Sequence, residues 1–275
     1  MTPAPASRGD APVPSVGLAV LTLWRRELLH FTRHRSRVLG ALGTPLVFWL
    51  LIGSGIGTSF RHGAAPARMS YLEYFFPGTV LLIVLFTSIF CMMSVIEDRH
   101  QGFLLSVLVA PLPRFTLVLG KILGGATLAA GQGLLFVLLA PAAGLELAPT
   151  QFALIGAVLF LVALALTGLG FAVAWKLDSV QGFHAVVNLF LIPMWLLSGA
   201  LFPSSGAAGW VQWSMKLNPL TYGLAALRRL FYWDAAGPGG EPSMALALAV
   251  TAGFVFATAL ASFLIAERPV GSDWG

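Results

Sequence analysis

The chain has 275 residues, of which 57% are hydrophobic and only 10% charged. Soluble domains carry about 25% charged residues, so this composition excludes a soluble enzyme and indicates a polytopic membrane protein built as one domain. The net charge of +5 does not point to nucleic acid, because the basic residues flank apolar runs, where they suit anionic headgroups. The single cysteine, Cys91, excludes an internal disulfide and a thiolate metal site.

Residues 1–15 hold Pro3, Pro5, Pro12 and Pro14 among Ala and Ser and are expected to be a disordered tail. No cleaved leader is expected, because the apolar run after Ser15 is broken at once by Arg25, Arg26 and Glu27. Residues 16–37 read as an amphipathic helix. Leu21, Trp24, Leu28 and Phe31 recur at spacings of three and four, and Arg26, His30, Arg33 and Arg37 recur opposite them. Such a helix lies on the inner leaflet with Trp24 at headgroup depth and the arginines in water or on lipid phosphate. It is either a topology anchor or an interface helix that also touches a cytoplasmic partner.

Six stretches lack Asp, Glu, Lys and Arg and are long enough to span: 38–60, 74–96, 122–145, 147–175, 179–215 and 242–266. A crossing needs about 20 apolar residues, so the fifth run is divided into a span over 183–202 and a different structure after Pro203. Eleven of the sixteen Lys and Arg fall on the side of the N-terminus, which predicts that both termini are cytoplasmic. Gly120 and Gly124, four apart, suit a close helix–helix approach. The predicted organisation is a tail over 1–15, an interface helix over 16–37, a six-span domain over 38–266 and a cytoplasmic tail over 267–275.

Between the second and third spans lies EDRHQGFLLSVLVAPLPRFTLVLGK, residues 97–121. Its uncharged piece 104–113 is too short to cross and too apolar for a solvated loop. Gly102 allows a sharp turn, Phe103, Leu104, Val107 and Leu108 can line one side of a short helix, and Pro111 and Pro113 stop it. After the fifth span, Pro193 should kink the helix and Pro203 end it. Trp210 and Trp213 share a face at i, i+3, and Asn218-Pro219 breaks the chain again before Tyr222. Broken short helices with Trp and Tyr belong at a headgroup boundary or dip partway in. Arg228 and Arg229 are expected at the outer interface, since each would cost roughly 2.5–3.5 kcal/mol at mid-bilayer.

Chemistry is sparse. The six runs contain no carboxylate, lysine or arginine; His184 is expected at headgroup level or in a core hydrogen bond rather than as a relay, and Gln132 and Asn188 are expected to bond across helices rather than bind substrate. No HExxH, GxSxG or GxxxxGK[ST] pattern is present, so the chain should bind no cofactor and hydrolyse no ATP itself.

Two stretches carry a resemblance. The inner loop has Arg99, Gly102, Leu104, Leu108, Pro111, Arg114, Gly120 and Lys121. The outer stretch has Ser198-Gly199, Phe202-Pro203, Trp210, Trp213, the run Leu217-Asn218-Pro219-Leu220-Thr221-Tyr222, and Leu227-Arg228. Together they resemble the type-2 ABC exporter permeases, membrane subunits that export drugs, lipo-oligosaccharides or polysaccharides. That family commonly carries a Glu where this chain has Leu105. The resemblance implies an all-α permease of six transmembrane helices, working as a homodimer in the bacterial inner membrane. It also implies two copies of a separate ATP-binding subunit that holds ATP and Mg. The loop would be a coupling helix that meets this motor through Glu97, Arg99, Gly102, Leu104, Leu108, Pro111 and Arg114. A re-entrant pair with Pro203, Trp210, Trp213, Asn218, Pro219 and Tyr222 would cap the outer end. The competing reading is a secondary transporter or channel with no motor subunit.

Overall fold

The computed structural model describes residues 15–33, 35–56, 69–233 and 241–267. Ten α-helices follow in order: α1 (Val16–Arg33), α2 (Arg35–Ile56), α3 (Tyr71–His100), α4 (Phe103–Leu108), α5 (Phe115–Val137), α6 (Pro149–Lys176), α7 (Val180–Trp195), α8 (Gly209–Leu217), α9 (Pro219–Phe231) and α10 (Met244–Glu267). Among the described residues there is no strand, and six helices are long and apolar enough to cross a membrane: α2, α3, α5, α6, α7 with its extension to Ala200, and α10. These are the six expected runs. Residues 1–14, with most of the expected tail, Arg61 and Arg68, and the segment after Glu267 lie outside the described residues.

The helices extend past the uncharged runs. α3 continues through Glu97, Asp98 and Arg99, and α5 begins seven residues before Ile122 and takes in Lys121. Charges excluded from the spans by composition therefore sit on the same rigid rods.

α3 is the central helix. It packs against α2, α5, α6, α7 and α9, and its residues from Tyr74 to Leu85 are buried on every side. At one end, Trp49 of α2, Phe76 of α3, Phe136 of α5 and Phe231 of α9 meet with ring centroids 5.2–5.7 Å apart, which locks four helices together. Inside the bundle Gln132 bonds Thr87 across α5 and α3, as expected for Gln132. Ser262 of α10 donates to the Gly168 carbonyl of α6 at 2.8 Å. By contrast, α2, α7 and α10 keep large apolar side chains exposed, among them Leu51, Phe190 and Phe256.

Gly120 and Gly124 are where α1 crosses α5. A Cβ on Gly120 would stand 2.5 Å from Leu23 Cβ, and one on Gly124 would stand 2.7 Å from Glu27 Cβ. The pair serves packing within the chain. Gly124→Val should push α1 off α5 and lower the thermal midpoint of the purified protein, by overpacking worth about 1–3 kcal/mol. A Gly253→Val control on α10, where a Cβ meets nothing within 4 Å, should leave the midpoint unchanged.

Candidate functional site

The loop between α3 and α5 forms the expected short helix. Gly102 takes φ +73 at the start of α4, a left-handed turn that only glycine adopts without strain. The helix ends before Pro111 and Pro113. Its inner side is Leu104, fully buried, flanked by half-buried Phe103 and Val107. Its outer side is Leu105, Ser106 and Val109, with Leu105 51% and Val109 82% exposed. Leu104 therefore anchors α4 to the bundle, and the side chains free to meet another molecule are its neighbours. The Leu108 side chain lies outside the described residues.

Above α4 lies a buried ion cluster. Lys121 is fully buried, and its ammonium donates to Glu27 Oε1 at 2.8 Å, Asp98 Oδ2 at 2.6 Å and Ser94 Oγ at 3.0 Å. Ser94 donates in turn to Glu27 Oε2 at 2.7 Å. Arg26 forks onto Asp98 at 2.9 and 2.5 Å and reaches Glu27 at 3.2 Å. All three ammonium protons are used, and two cations face two carboxylates, so the cluster is neutral. Removing such charges from water costs several kcal/mol per ion and is offset only by this degree of mutual satisfaction. Burial opposes the Arg26 charge, yet Asp98 and Glu27 raise its pKa further above the ordinary value. The Arg26 guanidinium also lies 3.7 Å over the Phe103 ring, which joins the cluster to α4.

α1 thus differs from the expected orientation. Its buried stripe is Leu23, Glu27 and Phe31, while Leu21 is exposed. Arg26 points at α3 rather than into water or lipid phosphate. His30 lies 4.0 Å from Glu97, and Trp24 donates to Thr127 of α5 at 3.1 Å. Arg33 is exposed, and the Arg37 side chain lies outside the described residues. Glu27, in sequence only a break in an apolar run, is a buried acid of the cluster. Its signal was its place four residues from Leu23 and four from Phe31, inside an apolar stripe.

Two loop arginines tie down helix ends. Arg99 donates to the Trp175 carbonyl at 2.6 Å, the Leu177 carbonyl at 3.1 Å and Asp178 at 2.6 Å, closing the C-terminus of α6. Arg114 donates to the Ala266 and Glu267 carbonyls at 3.1 and 3.3 Å, closing α10. Both satisfy carbonyls that a helix end leaves open and sit at the negative pole of its dipole.

At the opposite end of the bundle, α7 widens into a π turn over Leu196–Ala200, with Gly199 at φ +88, directly after the Pro193 expected to disturb it. Asn218 accepts from Leu220 N at 3.0 Å, capping α9, and donates to the Met194 carbonyl at 2.5 Å; Pro219 takes the first position of α9. Pro203 leads out of the α7 extension, Tyr222 donates to the Lys216 carbonyl at 2.9 Å, and Trp210 and Trp213 project together from α8 into the surroundings. Arg228 is enclosed by protein at this end. It is buried, with its guanidinium on the Gly199 carbonyl at 2.8 Å, on Glu241 at 3.2 Å and 4.3 Å over the Tyr74 ring. Tyr74 donates to the same carbonyl at 3.0 Å. Burial pushes the Glu241 carboxyl up from its ordinary pKa despite Arg228 beside it. Arg229 is the exposed member of the pair and bonds the Pro242 and Glu241 carbonyls. Among the described residues, no group of three or more His, Cys, Asp and Glu could hold a metal ion.

Lys121→Met should leave Glu27 and Asp98 facing Arg26 alone, with one uncompensated buried negative charge, and cost about 3–5 kcal/mol. Adding Glu27→Gln restores neutrality and should recover part of that loss. Thermal unfolding of the purified protein in detergent reads both.

The chain is similar to known proteins over most of its length. The family described as ABC-2 type transporter matches residues 19–232, from within the first turn of α1 to one residue past α9. The chain is 28% identical to a putative transport permease, ycf38, of Cyanophora paradoxa over 77% of its own length and 73% of that protein. It is 24% identical to the daunorubicin resistance ABC transporter permease protein DrrB1 of Streptomyces coeruleorubidus, over 90% of its length and 86% of that protein. It is 28% identical to nodulation protein J of Rhizobium meliloti, over 79% and 83%.

Proposed function

Since this chain belongs to the ABC-2 type transporter family, a multi-pass membrane permease, we propose that it exports an amphipathic or lipid-linked cargo across a bacterial inner membrane, driven by a separate ATP-binding subunit. The partners are two copies of that subunit, which holds ATP and Mg, and a second copy of this chain. Both termini face the cytoplasm, following the Lys and Arg bias. The related protein named for daunorubicin resistance makes drug-like molecules reasonable first cargoes to test.

The observation that carries this reading is α4. A six-residue helix is pinned by Leu104 and by Phe103 beneath Arg26, and it presents Leu105 and Val109 outward. Exposed apolar side chains on a rigid knob at the cytoplasmic end suit docking to a protein partner. The knob stands on α3 and touches Arg26, which is bonded through Asp98 to Lys121 of α5. A push on α4 therefore moves α1, α3 and α5 together, because their shared charges cannot be parted cheaply. Leu105 stands where the family commonly has Glu, so this docking is more apolar than usual. The α8–α9 pair, braced by Asn218 and Arg228, acts as the outer cap of the pathway. The wide apolar surfaces of α2, α7 and α10 suit lipid, the second copy and an amphipathic cargo.

Val109→Asp combined with Leu105→Asp should preserve the helical content and thermal midpoint of the permease. It should also abolish cargo-stimulated ATPase of the reconstituted complex and reduce motor co-purification by tenfold or more, on the order of 1.4 kcal/mol per decade. Wild-type coupling in that variant would remove α4 as the docking knob. Leu104→Asp should instead lower the thermal midpoint, because it buries a carboxylate without a partner.

A further inference from the structure

A cavity of about 380 Å³ lies between α8, α9 and the start of α10, at the end of the bundle away from α4. Its wall is divided chemically. Arg228, Lys216 and Thr221 supply polar groups, and Met215, Leu224 and Leu246 supply an apolar side. We propose that this cavity binds the anionic head of an amphiphile, a phosphate or carboxylate whose acyl chain leaves along α10.

Three observations converge on an anion. First, Arg228 is only 5% exposed, yet among the described residues its Nε has no partner, and the buried Thr221 hydroxyl has none either. Both belong to residues that line the cavity. Native structures seldom leave buried donors unmet, because each loses its bonds to water without replacement. An oxyanion offers several acceptor positions and makes the charge-assisted bonds that a guanidinium forms best. Second, the lining carries two basic residues, Arg228 and the exposed Lys216, and a single carboxylate, Glu241, which pairs with Arg228 at 3.2 Å. The lining therefore holds one cation in excess. Third, the guanidinium is held in place before any ligand arrives, because the Gly199 carbonyl, Glu241 and the Tyr74 ring fix it. A preorganised donor loses little freedom on binding.

The apolar side argues for a chain on that anion. Leu246 lines the cavity and is also 49% exposed on the outer face of α10. From there Ala249, Gly253 and Phe256 follow at helical spacing, all exposed, and Gly253 leaves a shallow place in the stripe. An acyl chain laid along this stripe covers apolar surface continuous with the cavity mouth.

The test uses the purified full-length permease in detergent without motor or export, so its result is separate from the exporter assignment. Binding is followed by native mass spectrometry and by thermal shift with phosphatidylglycerol, with phosphatidylcholine and with sn-glycerol 1-phosphate. Phosphatidylglycerol should bind and raise the midpoint, and phosphatidylcholine should not. A shift with glycerol phosphate as well would identify the head as sufficient and allow a water-borne anion; a shift with the lipid alone would require the α10 stripe. Lys216→Ala, which removes one cation, and Leu246→Trp, which fills the mouth without changing charge, should each weaken phosphatidylglycerol binding by about tenfold. Arg228 is left intact because it also braces Gly199. Equal stabilisation by both lipids, no binding of phosphatidylglycerol, or wild-type affinity in both variants would overturn the proposal.

Discussion

The fully buried ammonium of Lys121 constrains the rest of this structure. A charge at that depth has no water to turn to, so partners must come from other helices. Glu27 comes from α1, Ser94 and Asp98 come from α3, and Arg26 completes the neutral set. This requires α1 to cross α5 closely, which Gly120 and Gly124 permit by having no side chain. An ion pair of this kind is a poor source of net stability compared with apolar packing. It is, however, strict about geometry, because displacing any one member strands the others. α1, α3 and α5 are thereby made into one body at this end of the bundle, and α4 is attached to it through Phe103.

A related device recurs at helix ends. Arg99 closes α6, Arg114 closes α10, and Arg228 holds the open carbonyl of Gly199 where α7 unwinds. In an apolar surrounding an unmet carbonyl is expensive, and irregular backbone survives only where protein groups satisfy it. Arginine suits this work because five donors in one plane can reach several acceptors while the charge stays delocalised. Basic residues that flank apolar runs thus also terminate helices.

The two ends of the bundle divide the labour. One is rigid, charged and bears an apolar knob; the other is assembled from short helices over a half-polar cavity. Between them α3 runs as a single rod, buried almost throughout and touching both clusters through Asp98 and Tyr74. Rigid secondary elements can carry coupling between distant sites, and α3 is one continuous helix from Tyr71 to His100.

The sequence by itself determined where the spans run, because the length of an uncharged apolar stretch is a one-dimensional property. It also determined where α4 begins and ends and where α9 starts, because Gly102, Pro111 and Asn218-Pro219 act on their own backbone. The motifs in those same loops were enough for the family. Only the tertiary structure decided which way the charges point. Arg26 on an amphipathic helix reads as solvated until Asp98, seventy-two residues away, is seen to face it. Glu27 reads as an interruption until Lys121 arrives. Leu104 and Leu105 are chemically alike in the chain, yet packing buries one and exposes the other. Burial of a charge or of one of two equal leucines depends on what lies opposite, and that is set by contacts between residues far apart in the chain.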